Sequence, residues 1–271
     1  MIPTIKYEKE FNDLLNEISE KLKDIVKMKN VIAYYWESSM YAEKLLKYCY
    51  GNEPITLPID IRKVAEKLEM YIEEVNISDF LNENVRRSNH KIAQLSVQNN
   101  LISGEREVII YVDKYIPISS KRYAIANEIA QYILHINDRK IYENYFVMPM
   151  CPVKADELIA DIFSIFLLIP MRKFLDEFCQ YVEYRSAEQK IPISTEEWIK
   201  YLAERAGVSE YYVAYGYQYL RNIAYWIYEA WADDPEKLKE AKITQTEAKK
   251  IKNWISEKDF HKLKYLIYQN E

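Results

Sequence analysis

Phe11, Leu14, Leu15, Ile18, Leu22, Ile25 and Val26 recur every three or four residues with charges between them, which predicts an amphipathic helix over 6–29. A second helix is expected over 33–50, stopping at Gly51, and the Pro54–Pro58 stretch then interrupts the chain. Asp60 is placed to cap a short helix over Ile61–Leu68, and a strand is expected over Met70–Ile77. Two more strand-like runs, Ile92–Val97 and Val108–Val112, flank the polar Gln98–Glu107 stretch with its Gly104 and read as a hairpin. After Pro117 and a Ser119-Ser120 cap signal a helix is expected over Lys121–Ile136. Another covers Val153–Leu168 and ends at Pro170. From about Pro192 the pattern is wholly helical. Ser194-Thr195-Glu196-Glu197 resembles a helix start, because a Ser or Thr cap followed by acids satisfies free N–H groups and the helix dipole. Helices fit 196–206, 209–232 and 244–269, with a break at Asp233-Asp234-Pro235.

Composition narrows the chemistry. The 271 residues are 49% apolar and 29% charged with a net charge of −5, so a folded core is expected and the chain as a whole is no polyanion binder. Only 4 glycines are present against 25 tyrosines, and neither G-x-G-x-x-G nor a P-loop occurs, which excludes the common nucleotide-binding loops. No basic stretch followed by an apolar one opens the chain. The longest apolar run, Ile162–Met171, is interrupted by Ser164 and Pro170 and is too short for a bilayer core of ~30 Å. Cys49, Cys151 and Cys179 are scattered and lack C-x-x-C spacing, so they read as apolar thiols in a reducing compartment. A cytoplasmic protein without a membrane segment is expected. His90, His135 and His261 leave few candidates for metal or acid–base chemistry.

The informative run is Arg122-Tyr-Ala-Ile-Ala-Asn127-Glu128-Ile-Ala-Gln131-Tyr-Ile-Leu-His135. On a helix Asn127 and Gln131 share a face with Glu128 beside them. That is the geometry of H-E-x-x-H, in which two histidines bind zinc and the glutamate polarises a water. A second helix offers Glu157 and Asp161, again four residues apart. At these residues the chain resembles the ImmA/IrrE family of zinc metallopeptidases, whose members include phage and mobile-element anti-repressor proteases. The family's central run reads approximately R-x-x-[FT]-x-x-A-H-E-[LI]-G-H-x-x-L-H. Its second signature, E-x-x-A-N-x-F-A-x-x-L-L-M-P, resembles Glu157 to Pro170. Leu57 to Glu69 is similar to the family's P-[VI]-D-[IL]-x-x-[IL]-A-x-x-L-G-[IV], and Leu202 to Ser209 to its L-A-x-x-F-G-V-S. The likeness covers about residues 40–220.

The resemblance implies an α+β fold with a zincin-like helix pair packed on a small β-sheet and a mostly helical C-terminal module. The corresponding segments are 1–40, an N-terminal helical extension, 41–190, the metallopeptidase-fold domain, and 191–271, the helical module. Carried over by position, Asn127 and Gln131 stand at the two histidine ligand positions, Glu128 at the general base and Glu157 at the third metal ligand, with His135 and Asp161 lining the pocket. A carboxamide is a weak, uncharged donor compared with imidazole. Without zinc nothing lowers the pKa of an attacking water. No cofactor is therefore expected, although the family uses zinc. If Glu128 and Glu157 are both buried without a metal, at least one should have a raised pKa.

Three functions follow as expectations. The first is a catalytically degenerate member that binds a protein partner, by family analogy a repressor-like regulator in a bacterial or mobile-element setting. The second is an active zinc metallo-endopeptidase with an altered metal site, or one inactivated by substitution at these positions. The third is a DNA-binding regulator through Ala203-x-x-x-Gly207-Val208-Ser209-x-x-x-Val213, which has helix-turn-helix spacing. Its second helix carries no basic residue before Arg221, so packing against the preceding domain accounts for it better and nucleic acid is not expected as a partner. The tyrosines from Tyr211 to Tyr228 read as core and rim, or as a binding surface. The Lys-rich final helix reads as a solvated amphipathic element.

Overall fold

Helical spacing at the N-terminus produces α1 (Lys9–Met28), which buries Phe11, Leu15, Ile18, Leu22 and Ile25. The computed structural model describes residues 9–28, 31–77, 92–99, 106–136, 154–187, 194–231, 235–240 and 244–268. α1 packs against α2 (Val31–Tyr50), whose chain stops at Gly51 with a φ of 55°. Asp60 caps α3 (Ile61–Lys67) as expected, its carboxylate accepting from the Arg62 and Lys63 amides at 3.1 and 3.2 Å. Glu69 then turns the chain with a φ of 55° into β1 (Met70–Val75).

Among the described residues the sheet has three strands in the order β1-β3-β2, with β2 (Ala93–Asn99) and β3 (Arg106–Asp113) antiparallel and β1 parallel to β3. The expected hairpin pairing is present, with Leu95 opposite Ile110. Gly104 and the rest of 100–105 lie outside the described residues. Alternation sends Met70, Leu95, Val108 and Ile110 into the main core. Against that face lies α4 (Ile118–His135), which in turn packs on α5 (Lys154–Leu168). α4 begins one turn earlier than the serine signal suggested: Pro117 occupies the cap and makes no side-chain cap bond. A proline is at home there because a first-turn N–H has no helical partner to lose.

Pro170 both ends α5 and starts α6 (Met171–Ala187), accepting from the Phe174 amide at 2.9 Å. α7 (Thr195–Ala206) starts under the Ser194 cap and ends at Gly207, whose left-handed φ of 63° closes the helix. α8 (Glu210–Trp231) follows, then α9 (Pro235–Glu240). The single expected helix over 244–269 is instead two, α10 (Gln245–Trp254) and α11 (Glu257–Tyr268). Ser256 makes the break: its hydroxyl accepts from the Asp259 amide at 3.1 Å and donates to the Asp259 carboxylate at 2.7 Å, a start signal for the second helix.

The architecture is α+β, dominated by helices, with one small mixed sheet among the described residues. A continuous hydrophobic cluster runs from Phe11 on α1 through Phe163 and Trp198 to Ile255, across all three segments anticipated from the sequence. α8 approaches α5 closely at Gly216, where a Cβ would stand 2.9 Å from Ile165 Cγ2. Among the described residues no helix is long and apolar enough to cross a membrane.

Candidate functional site

Three of the sequence motifs meet at one guanidinium. Arg122, in the second turn of α4, donates through Nη2 to the Ile59 carbonyl at 2.6 Å and to the Ala206 carbonyl at 3.3 Å. It thereby ties α4 to the segment before α3 and to the C-terminal end of α7, where unpaired carbonyls favour a cation. A side chain at Gly207 would reach within 3.4 Å of Arg122 Nε. Burial pulls the Arg122 pKa down from its ordinary value, with Asp60 and Tyr50 opposing.

One turn further along α4, the polar residues divide between two neighbours. Asn127 faces α5 and donates its side-chain amide to Asp161 Oδ1 at 2.9 Å. Tyr123, four residues earlier on the same face, donates its hydroxyl to the same oxygen at 2.7 Å. The Tyr123 ring is stacked on Tyr212 of α8, with centroids 3.6 Å apart and planes 12° from parallel. Burial raises the Asp161 pKa and neighbouring Glu157 adds to it, while the hydrogen bonds from Tyr123 and Asn127 oppose the rise. Burial also pushes the Tyr123 phenol far above its ordinary range, helped by the Asp161 charge.

Glu128 turns the other way, toward the sheet. It is buried, and its Oε2 accepts the Leu95 amide of edge strand β2 at 2.9 Å. Leu95 lies opposite Ile110 in the β2–β3 ladder, so this carboxylate satisfies backbone at the sheet edge. Gln131 is buried. His135 is half-buried in the last turn of α4. Glu157 is exposed, so the condition for a raised pKa in a jointly buried Glu128 and Glu157 is not met. Among the described residues no group of three or more His, Cys, Asp or Glu side chains is placed to hold a metal ion.

Comparison with protein families, with curated proteins and with solved structures returns no match.

The structure thus joins Asn127 to Asp161 and Glu128 to the sheet. Tyr123, Leu95 and Arg122 had no role assigned from sequence, and Tyr212 was placed only among the tyrosines of core, rim or binding surface. Tyr123 could have been found, because positions 123, 127 and 131 share one helix face. Tyr212 lies 89 residues from its stacking partner, and no local pattern marks it. His261 is exposed on α11, while His90 and Cys151 lie outside the described residues.

α8 covers this region with tyrosines of two kinds. Tyr217 and Tyr219 are buried, and Tyr219 stacks on Tyr35 of α2 at 4.9 Å. Tyr211 and Tyr215 are exposed and joined by a hydroxyl–hydroxyl hydrogen bond of 3.3 Å. The helix proposed for DNA reading therefore packs inward through Tyr212, Val213, Gly216 and Tyr219 and presents tyrosines outward.

Proposed function

We propose that this chain is a catalytically degenerate protein of ImmA/IrrE type, with a zincin-like helix pair in α4 and α5, that acts by binding a protein partner rather than by hydrolysis. The observation that carries the reading is the engagement of Asn127. At the position corresponding to a metal-binding histidine stands an amide whose N–H group is spent on Asp161, which leaves only a weak, uncharged carboxamide oxygen where an imidazole nitrogen would ligate. Zinc fits this donor set poorly. Asn127 and Gln131 offer only carboxamide oxygens, Glu157 is exposed, and Glu128 is engaged with the Leu95 amide.

The partner surface on this reading is the outer face of α8. Tyr211, Tyr215 and Tyr225 are exposed, and tyrosine combines a rigid apolar body with a hydrogen-bonding tip. By analogy with the family, the partner is a repressor-like regulator in the cytoplasm of a bacterium or acting for a mobile element. The reading is tested by incubating the intact chain with zinc and a mixed peptide library. No metal-dependent cleavage is expected, and cleavage abolished by a chelator would overturn it.

A further inference from the structure

A second site lies away from the α4–α5 pair. A cavity of about 410 Å³ opens between α2 and α10, with Glu17 of α1 also in its wall. That is within the size range of small-molecule sites, roughly 300–1,000 Å³. Its lining combines rings with carboxylates. Two of these carboxylates already hold a cation that also lies near a ring. Glu17 accepts from Lys44 Nζ at 2.6 and 2.7 Å, and that ammonium stands 5.6 Å from the Tyr41 ring centroid. Glu43 is paired with Arg172, whose guanidinium lies 5.9 Å from the Trp254 ring centroid.

Glu37 is the exception. It lines the same cavity, is 9% exposed, and takes no hydrogen bond or ion pair among the described residues. Lys250 and Lys21 favour its charge from a distance, and Glu247 and Asp24 oppose it. Burial is the larger effect and raises its pKa. A carboxylate that has lost much of its hydration and has no donor is costly, and a donor bound in the cavity on which it opens would relieve that cost. Beside it stands Trp36, its ring 6.3 Å from that of Trp254, with Met40 completing an apolar wall.

We infer that this cavity binds a primary organic ammonium ion, whose N–H groups donate to Glu37 and whose apolar body lies against Trp36, Met40 and Trp254. The ligand would complete at Glu37 the carboxylate–cation–ring arrangement that Lys44 and Arg172 complete at the other two acids. An anion would be drawn to the lysines of the lining, but Lys44 is held by Glu17, and Lys47 and Lys250 are exposed with their heads free to remain in water. A metal ion is a poorer match, because it would gain one free carboxylate and no further strong donor.

The test is titration of the intact chain with phenethylammonium and butylammonium, followed by tryptophan fluorescence and calorimetry. Phenethyl alcohol and phenylpropionate serve as neutral and anionic counterparts. Saturable binding of the ammonium ions alone is expected, weakened about tenfold or more by Glu37→Gln. That variant is near-isosteric and relieves a buried charge, and circular dichroism checks that it stays folded. Lys250→Ala should leave affinity unchanged or tighten it. Absence of saturable ammonium binding, equal binding of the alcohol or the acid, or unaltered affinity in Glu37→Gln would overturn the inference. So would a loss of affinity on Lys250→Ala.

Discussion

Asn127 donates to Asp161 across 2.9 Å, from the middle of α4 to the second turn of α5. The same oxygen takes the Tyr123 hydroxyl, so one carboxylate serves two donors on one helix face. Removing the acceptor while keeping both donors leaves two half-buried groups unsatisfied. Asp161→Ala should therefore lower stability by about 1–3 kcal/mol in urea titrations, more than Tyr123→Phe, which removes one of those donors. Equal effects would mean that Asn127 takes nothing from the bond.

The pH dependence of the same residue has a definite sign. The folded pKa of Asp161 is raised by burial, so the folded state holds its proton more tightly than the unfolded chain. Stability then falls as pH rises from the ordinary carboxylate range through the folded value. Asp161→Asn removes that titration. Relative to this variant, the natural chain should lose stability as pH rises through this window, measured by thermal unfolding at each pH. The opposite slope would contradict burial as the dominant cause.

At alkaline pH a second group of residues acts together. Burial raises the phenols of Tyr41, Tyr123 and Tyr219 well above their ordinary range, and pushes the Cys49 thiol up to about 12. The unfolded chain ionises these groups at about 8.5 for the thiol and about 10 for the phenols. The folded chain keeps the protons longer, so stability is progressively lost above those values. Spectrophotometric titration should reveal a class of tyrosines that ionise only as helical circular dichroism collapses. Smooth ionisation of all tyrosines in the folded protein would contradict this.

Arg172 connects three parts of the fold. Its guanidinium pairs with buried Glu43 of α2, reaches Asp259 of α11 at 3.3 Å, and donates to the Trp254 carbonyl at 2.6 Å. Arg172→Ala leaves buried Glu43 without its cation and takes one of two cations from Asp259, which keeps Lys262 at 3.6 Å, and should cost about 3–5 kcal/mol. The double variant Glu43→Gln, Arg172→Met should cost less than the single one in chemical denaturation. Additive effects would show that the two residues are not coupled.

Glu69 follows α3 with a φ of 55°, a conformation in which a Cβ is strained. Glu69→Gly should stabilise the chain by about 1 kcal/mol, read as a raised thermal midpoint. A lowered midpoint would mean that the side chain contributes more than its strain costs.

Local pattern made much of the helical framework legible. The spacing of Phe11, Leu15, Ile18, Leu22 and Ile25 predicts the face that is buried, because helical period depends only on neighbours along the chain. The Asp60 and Ser194 caps were readable for the same reason. α6 was not anticipated although Phe174, Leu175, Phe178 and Val182 carry its buried face, because Pro170 was read only as an end. The α10–α11 break was hidden by an apolar pattern that continues across Ser256. At the site, the common face of Asn127 and Gln131 could be read from spacing. The bond from Leu95 to Glu128 and the stacking of Tyr212 on Tyr123 depend on contacts between distant segments, which periodicity does not encode.

The most direct test of the central proposal is a zinc titration of the natural chain beside the Asn127→His, Gln131→His variant, with bound metal counted by mass spectrometry after dialysis. The account predicts no retained zinc in the natural chain and about one equivalent in the variant, where two imidazoles join the carboxylates of α5 as ligands. Stoichiometric zinc held by the natural chain would contradict it.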